Sequence, residues 1–578
     1  MAVDTSRPIS ILYPDQEEAG FRQLSPLSCH DLGLDTLCQT LAGAPKEEAL
    51  IMSIISKMSS DPKVAEYRQK VFVDILELPD LRNRMMELLD KIQYIKDFKT
   101  MKRGSSERMG LWDLLHKLDE IHDYIETVEA MQECLKNAPI KSKGLIDLRE
   151  YVNEIYNDSF FAEMKEDIKK IRAEASSVKS VTVGINVNER FEACSLGLIS
   201  INDAPFKKSN IVSNFADALK KGKLHEGTDW DEDMRYHPVD GDGLDIYDIA
   251  DRMYDIYTKS SVQGVMMKNA ETTAAVPDGD GMENSTYYLD KIVNKLLDTL
   301  VKKLRDTLNK YVNVAVVNIS KLIPEFVYYI RFAEFIEANL KKGMPFCEAS
   351  IISPEDLANG ISMKARGLYN LKLAISSNRS EEIVYNDLDF DKDHTVYILT
   401  GANRGGKTTI TQAVGLLYVL AQGGIYVPAA SFEYKPVDSV FTHFPADEDK
   451  TMDLGRLGEE CVRFKELFNE ATSESLMLLN ETFSTTSFEE GYYIACDSVK
   501  AILSKGIRTI YNTHMHKLAF DADKLSGEGD FDVRASSLIV KNEGANRSFK
   551  VEVAPPEGMS FARDIAEKYG VTYDMLVN

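Results

Sequence analysis

The run Gly401-Ala402-Asn403-Arg404-Gly405-Gly406-Lys407-Thr408 fits the pattern GxxxxGK[ST] and carries the densest chemical information in the chain. Glycines at these positions let the backbone curl, so that successive N–H groups and a helix N-terminus point at phosphate oxygens. Lys407 would neutralise the β- and γ-phosphates, the Thr408 hydroxyl would ligate Mg²⁺, and Thr409 would extend the same turn. ATP and Mg²⁺ are the cofactors this implies. The context agrees: the apolar run Val396–Thr400 leads in, and Ile410 to Ala421 suits a helix leading out. A glycine-rich turn without function would need neither.

Hydrolysis needs a second element, a buried strand delivering polar groups to the metal and the attacking water. Ser475-Leu-Met-Leu-Leu479 followed by Asn480-Glu481 supplies one, with both polar residues at the strand's C-terminal end, where ligands of such sheets bind. Glu481 is the candidate to polarise water and to reach the metal through water. Asn480 can accept a bond from a metal-bound water but brings no charge, which points to reduced metal affinity or turnover. His514 ends the next strand candidate, Thr509 to Thr513, on the same sheet edge, where an imidazole can meet a γ-phosphate or the water. His516 has proximity alone to recommend it.

These residues need a sheet and helices to position them. Strand candidates Val396–Thr400, Leu476–Leu479 and Thr509–Thr513 alternate with helical stretches, as in a doubly wound α/β domain spanning 361–578. A short helix is expected around Ser560–Tyr569. Upstream the pattern is helical. Leu111, Leu114, Leu118, Ile121, Ile125 and Val128 step by threes and fours, as do Leu289, Ile292, Leu296, Leu300, Leu304, Leu308 and Tyr311, the spacing of buried helix faces. The expected divisions are an N-terminal arm over 1–30, a helical core/lever over 31–180, an inserted region over 181–285, the second half of the core/lever over 286–360, and the α/β domain. Within the insertion, Ser180 to Val187 alternates like a strand, with Ala193 to Ile201 as its candidate partner.

Charge narrows the partners. Across 578 residues, 68 basic side chains face 92 acidic ones, a formal −24, so a uniformly charged surface would repel nucleic acid and anionic membranes. The charge is uneven. Lys207, Lys208, Lys220, Lys221 and Lys223 are opposed only by Asp217, and eleven acids follow between His225 and Asp255. The lysines are candidate DNA contacts, with a solvated helix face as the competing reading. Asp240-Gly-Asp-Gly lacks the regular acid spacing and closing Glu of a calcium loop. The seven cysteines form no CxxC pair, so neither zinc nor a disulfide framework is expected. No stretch reaches about 18 uninterrupted apolar residues, so a cytoplasmic chain with no membrane partner fits.

Four segments in order, TGANRGGKTT, LLNETFSTTSFEEG, NTHMHKLA and APPEGMSFARDIAEKYGV, resemble the ATPase domain of MutS proteins over about residues 361–578. Asp61-Pro-Lys-Val-Ala-Glu-Tyr-Arg and Leu81 to Ile95 resemble, more weakly, the start of that family's core domain. The resemblance implies a multidomain protein: a mainly α-helical core/lever followed by an ABC-type α/β P-loop NTPase domain that dimerises, each nucleotide sandwiched between subunits. It implies that Asn403 lies in the phosphate loop, that Glu481 activates water and that His514 senses the γ-phosphate. Asn386-Asp387 occupies a segment near which an aromatic residue stacks on adenine in the family; Tyr385 is the nearest candidate. The segment that reaches the partner's nucleotide matches Asp453-Leu-Gly-Arg-Leu-Gly-Glu-Glu460, with Gly455-Arg456 where the family has Ser-Thr. Arg456 could itself meet a γ-phosphate. With only about 30 residues before the core-like helices, mismatch reading by the family's N-terminal module is not expected.

The leading expectation is a homodimeric ATPase that couples nucleotide binding and hydrolysis to closing helical arms around DNA, in repair or recombination. The alternative is an ATP-gated scaffold or switch with slow turnover, acting on RNA, a ribosome or a protein complex. A small-molecule kinase is weaker, because no acceptor site or lid stands out.

Overall fold

The computed structural model describes residues 9–14, 20–97, 111–175, 180–187, 189, 193–202, 298–311, 316–376, 383–402, 405–445, 455–543, 546–556, 571 and 575–576. Lys207, Lys208, Lys220, Lys221, Lys223, the acidic stretch 225–255, the 560–569 helix expectation, and Asn403 and Arg404 lie outside them, as does the 289–297 part of the second apolar stripe.

The chain divides into two compact units, one of residues 1–7, 87–133 and 151–320, the other of 8–86, 134–150 and 321–578. The expected boundary at residue 30 is absent. In the second unit the segment 9–14 is buried, with Ile11 and Leu12 at most 1% exposed. Strand β1 (Arg22–Gln23) pairs with β2 (Lys57–Met58), and Gln412 donates to the Asp31 carbonyl at 2.8 Å. The described stretch 9–14, with Ile9, Ile11, Leu12 and Tyr13, has apolar surface to bury, so it packs against the second unit.

In the first unit the expected hairpin is present: β3 (Ser180–Val187) and β4 (Ala193–Asn202) pair antiparallel. Helices Ser159–Ala175 and Asp298–Lys310 are joined through Tyr311, whose hydroxyl donates to Asp167 at 2.8 Å. The apolar stripe from Leu111 lies on the helix Leu111–Lys136, burying Leu114, Leu118, Ile121, Ile125 and Val128 as its spacing requires.

The second unit carries two further sheets. A four-stranded one has the order β5 (Ala349–Ile351), β9 (Ser431–Tyr434), β6 (Met363–Leu368), β7 (Asn386–Phe390). The larger sheet runs β10 (Val440–His443), β11 (Leu476–Asn480), β12 (Arg508–Asn512), β8 (Val396–Thr400), β13 (Ala535–Glu543), β14 (Asn546–Val553). Its first five strands are mutually parallel, and β14 returns antiparallel on β13. Strands β8 and β11 read as nearly continuous apolar runs, and β12 is buried along its length, because helices cover both faces of a parallel sheet.

Alternation along these strands sorts their side chains. Val396, Ile398, Met477, Leu479 and Tyr511 join the core formed with the helix Phe488–Lys505. Leu478 lies on the opposite face, beneath the helix Lys407–Gln422, where a Cβ on Gly415 would come within 2.6 Å of it. By the same period of two, Asn480 and Asn512 project on the Lys407–Gln422 side. They are also register partners at the ends of adjacent strands.

Candidate nucleotide site

The glycine-rich turn leaves β8 at Gly401 and enters the helix at Lys407. Gly406 has φ +89, a left-handed conformation costly to side-chain-bearing residues, and a Cβ there would press to 3.2 Å from the Phe549 ring. At Gly405 a Cβ would sit 2.8 Å from the Ala402 carbonyl. The helix begins at Lys407, three residues ahead of the apolar run that foretold it, because the turn itself supplies the first helical residues. Asn370 steadies this end, donating to the Thr409 carbonyl at 2.8 Å.

Lys407 is buried. Its Nζ donates to the Gly401 carbonyl at 3.0 Å and lies 3.5 Å from His514 Nδ1. Burial lowers its pKa, opposed by the negative charge of Glu481. A dry ammonium with one carbonyl partner is suited to a multiply charged anion.

Glu481 leaves β11 with φ 55, and Phe483 follows with φ 63, both left-handed without being glycine. Each costs on the order of 1 kcal/mol. The strained turn sets Glu481 Oε1 2.9 Å from His514 Nε2, while the Glu481 N–H donates to the Asn512 carbonyl at 2.9 Å. Beside them, Thr408 Oγ1 donates to Asn480 Oδ1 at 3.1 Å. Asn512 Nδ2 donates to the same Asn480 oxygen and lies 3.3 Å from Thr408 Oγ1. Asn512 Oδ1 is buried with no partner among the described residues.

These groups meet at a cavity of about 580 Å³, lined by Gly405, Gly406, Lys407, Thr408, Glu481 and His514. The lining also includes the apolar side chains of Tyr369, Leu373, Ile383, Val384 and Phe549, the last against Gly406. Tyr385 is not part of that lining: its ring packs edge-on against Tyr369 with centroids 5.7 Å apart. Val384 and Ile383 face the cavity in its place, and Asn386 brackets β14, donating to the Phe549 carbonyl at 3.2 Å and accepting from the Val551 N–H at 2.8 Å. Gly455 and Arg456 begin the helix Arg456–Glu470 outside the lining. His516 is likewise outside it, its pKa lowered by burial and by the neighbouring His514 and Lys407.

Sequence reasoning missed Asn370, Tyr369, Phe549, Asn512 and His443. The last sits behind Glu481, its Nδ1 3.0 Å from Thr482 Oγ1 and its Nε2 3.3 Å from the Glu460 carbonyl. Of these, Asn512 had a signal: a polar residue two positions before His514 in a strand whose neighbour ends in Asn480.

The arrangement agrees with comparisons to known proteins. A family model described as MutS domain V matches residues 397–572, and one described as MutS2 N-terminal domain matches 60–221. The DNA mismatch repair protein MutS of Prochlorococcus marinus is 34% identical over 193 residues, covering 32% of this chain and 21% of that protein. The DNA mismatch repair protein MutS 2 of Halobacterium salinarum is 35% identical over 186 residues, 30% of this chain and 21% of the relative. The DNA mismatch repair protein MutS of Clostridium botulinum is 24% identical over 488 residues, 79% of this chain and 49% of the relative. The chain thus spans between about a fifth and a half of these relatives' length. Matches to two MutS-type models in separate regions, together with the Clostridium botulinum MutS aligned along 79% of the sequence, support a MutS-family protein.

Proposed function

We propose that this chain is an ATPase that binds ATP with Mg²⁺ in the cavity above Gly405–Thr409 and works as a homodimer on DNA. The observation that carries the reading is the convergence of Lys407, Thr408, Glu481 and His514 on one cavity at the C-terminal ends of β8, β11 and β12. The polar groups of the lining suit a triphosphate and the apolar side chains a base, bounded by Tyr369, Ile383 and Phe549. Thr408 would hold the magnesium ion directly, with Asn480 and Glu481 reaching it through water. The unpartnered Asn512 Oδ1 fits a metal-bound water. When bound, the metal supplies charge neutralisation at the phosphates.

In this reading Lys407 neutralises phosphate charge, and the helix N-terminus behind it donates N–H groups. Glu481 takes the proton of the attacking water. His514, half-exposed, is held by Glu481 in the free site and exchanges that partner for the γ-phosphate when ATP enters. DNA repair is the setting proposed, from the names its relatives bear; recombination rests on the sequence reading alone. Gly455 and Arg456, at the start of a helix outside the cavity, are proposed to meet the nucleotide of a second subunit. The five lysines of 207–223 are proposed DNA contacts.

A second reading, an ATP-gated scaffold with slow turnover, is favoured by Asn480, since a neutral group beside Thr408 attracts the metal less than a carboxylate. One series of measurements decides. Lys407→Ala is expected to lose ATP binding, while Glu481→Gln keeps binding and loses about 10²–10⁴-fold in hydrolysis. Hydrolysis by Lys407→Ala at the wild-type rate would sink the site. Stimulation of turnover by duplex or branched DNA, at stated salt, supports the first reading; ATP binding with no response to DNA supports the second.

A further inference from the structure

Asn480 occupies a position from which a carboxylate would accept the Thr408 hydroxyl proton whichever way it turned. A carboxamide has one accepting end and one donating end. A threonine hydroxyl that gives its lone pair to a metal must send its hydrogen to an acceptor. Only the carbonyl end of Asn480 serves; the amino end would leave the hydroxyl hydrogen without its acceptor, while Asn512 Nδ2 already donates to the Thr408 oxygen at 3.3 Å. The structure holds the carbonyl end there, with Thr408 donating to it at 3.1 Å.

What holds it is Asn512. Parallel pairing of β11 and β12 in the register Asn480↔Asn512 sets the two carboxamides side by side on the Lys407–Gln422 face, and Asn512 Nδ2 donates to Asn480 Oδ1. An Asn480 turned end for end would set its NH₂ against the NH₂ of Asn512. Both residues are buried, so water offers no easy alternative.

We propose that Asn512 is a positioning residue that fixes the orientation of Asn480, so that a neutral carboxamide presents an acceptor to Thr408 and serves where a carboxylate would otherwise be needed. This rests on the nucleotide and magnesium reading above. Asn512 acts through Asn480 and Thr408, and its unpartnered Oδ1 adds an acceptor for a metal-bound water.

The test is binding of ADP to the full chain by calorimetry, first in EDTA and then with MgCl₂ titrated in. Asn512→Leu, close in shape, and Asn512→Ala are each expected to bind ADP as wild type does in EDTA, which also reports that they fold. Each is expected to need about tenfold more Mg²⁺ to tighten that binding. In the Asn480→Asp background, where the added charge alone tightens Mg²⁺ binding, the Asn512 variants are expected to need no more Mg²⁺ than the Asn480→Asp single variant, because both carboxylate oxygens accept. A wild-type Mg²⁺ dependence in both Asn512 variants overturns the proposal. So does a loss that persists in the Asn480→Asp background, since that marks Asn512 as packing alone. Absence of ADP binding by the wild-type chain in both EDTA and Mg²⁺ overturns the nucleotide reading instead.

Discussion

At the scale of single residues, the neighbourhood of Glu481 is set by neutral partners as much as by charged ones. His443 spans from Thr482 to the Glu460 carbonyl, with Nε2 facing the carbonyl as donor and Nδ1 3.0 Å from the Thr482 hydroxyl, which can donate to a neutral ring. Burial, with the positive charge of Arg463 added, pushes its pKa down from 6.5 to about 4. The unfolded ring takes up a proton below 6.5 that the folded ring refuses until about pH 4, so its stabilisation is complete above 6.5 and lost as pH falls through that window. The loss is at most about 3 kcal/mol. The stability difference between wild type and His443→Asn, read by urea unfolding from pH 4 to 7, is expected to grow in favour of wild type by this share toward pH 7. That Lys407, Thr408 and Glu481 share one cavity was legible because each belongs to a motif along the chain. His443 and Asn512 were not, because their partners, Thr482 and Asn480, become neighbours only when strands lie side by side.

At the scale of elements, the sheet was read nearly to its ends: the runs 476–479 and 509–513 appear as Leu476–Asn480 and Arg508–Asn512. Apolar runs bounded by polar residues fix where a buried strand lies, but not which strand neighbours which. Helix closeness is one such hidden quantity. Gly415 lets the Lys407–Gln422 helix approach the sheet, and a Cβ there would meet Leu32 at 2.4 Å and Leu478 at 2.6 Å. Gly415→Ala is expected to cost about 1–3 kcal/mol in thermal or denaturant unfolding, and to weaken ATP binding, since the same helix carries Lys407 and Thr408. The β13–β14 hairpin contributes Phe549 to the cavity wall at a φ of 57, a position no spacing in the sequence disclosed. Phe549→Ala is expected to weaken ATP binding by about 1–3 kcal/mol if the ring stacks on the base, read by calorimetry; unchanged affinity places the base elsewhere.

At the scale of the whole chain, the second unit is closed by contacts between distant segments. Ser10 Oγ and the Ile11 N–H donate to the two oxygens of Glu325 at 2.9 and 2.7 Å, and burial lifts that carboxyl to about 7. Here the folded state keeps a proton that the unfolded chain releases above 4.5, so stability falls as pH rises from 4.5 to about 7. The slope opposes that of His443 over nearly the same window. Wild type is therefore expected to be flat there, Glu325→Gln to weaken toward acid, and His443→Asn to weaken toward neutral pH, each by at most about 3 kcal/mol. Arg68 makes the same kind of long closure, its Nε donating to the Leu12 carbonyl at 3.0 Å and its Nη1 to the Gln422 carbonyl at 3.2 Å. Arg22 reaches across 416 positions to Asp438. During translation at about 5–20 residues per second, the segment holding Ile11, Leu12 and Arg68 therefore waits tens of seconds for its partners to emerge. Loop closures of this span also slow refolding. The buried N-terminal segment is thus apolar surface that stays without its native cover during synthesis until Glu325 and Gln422 have been made.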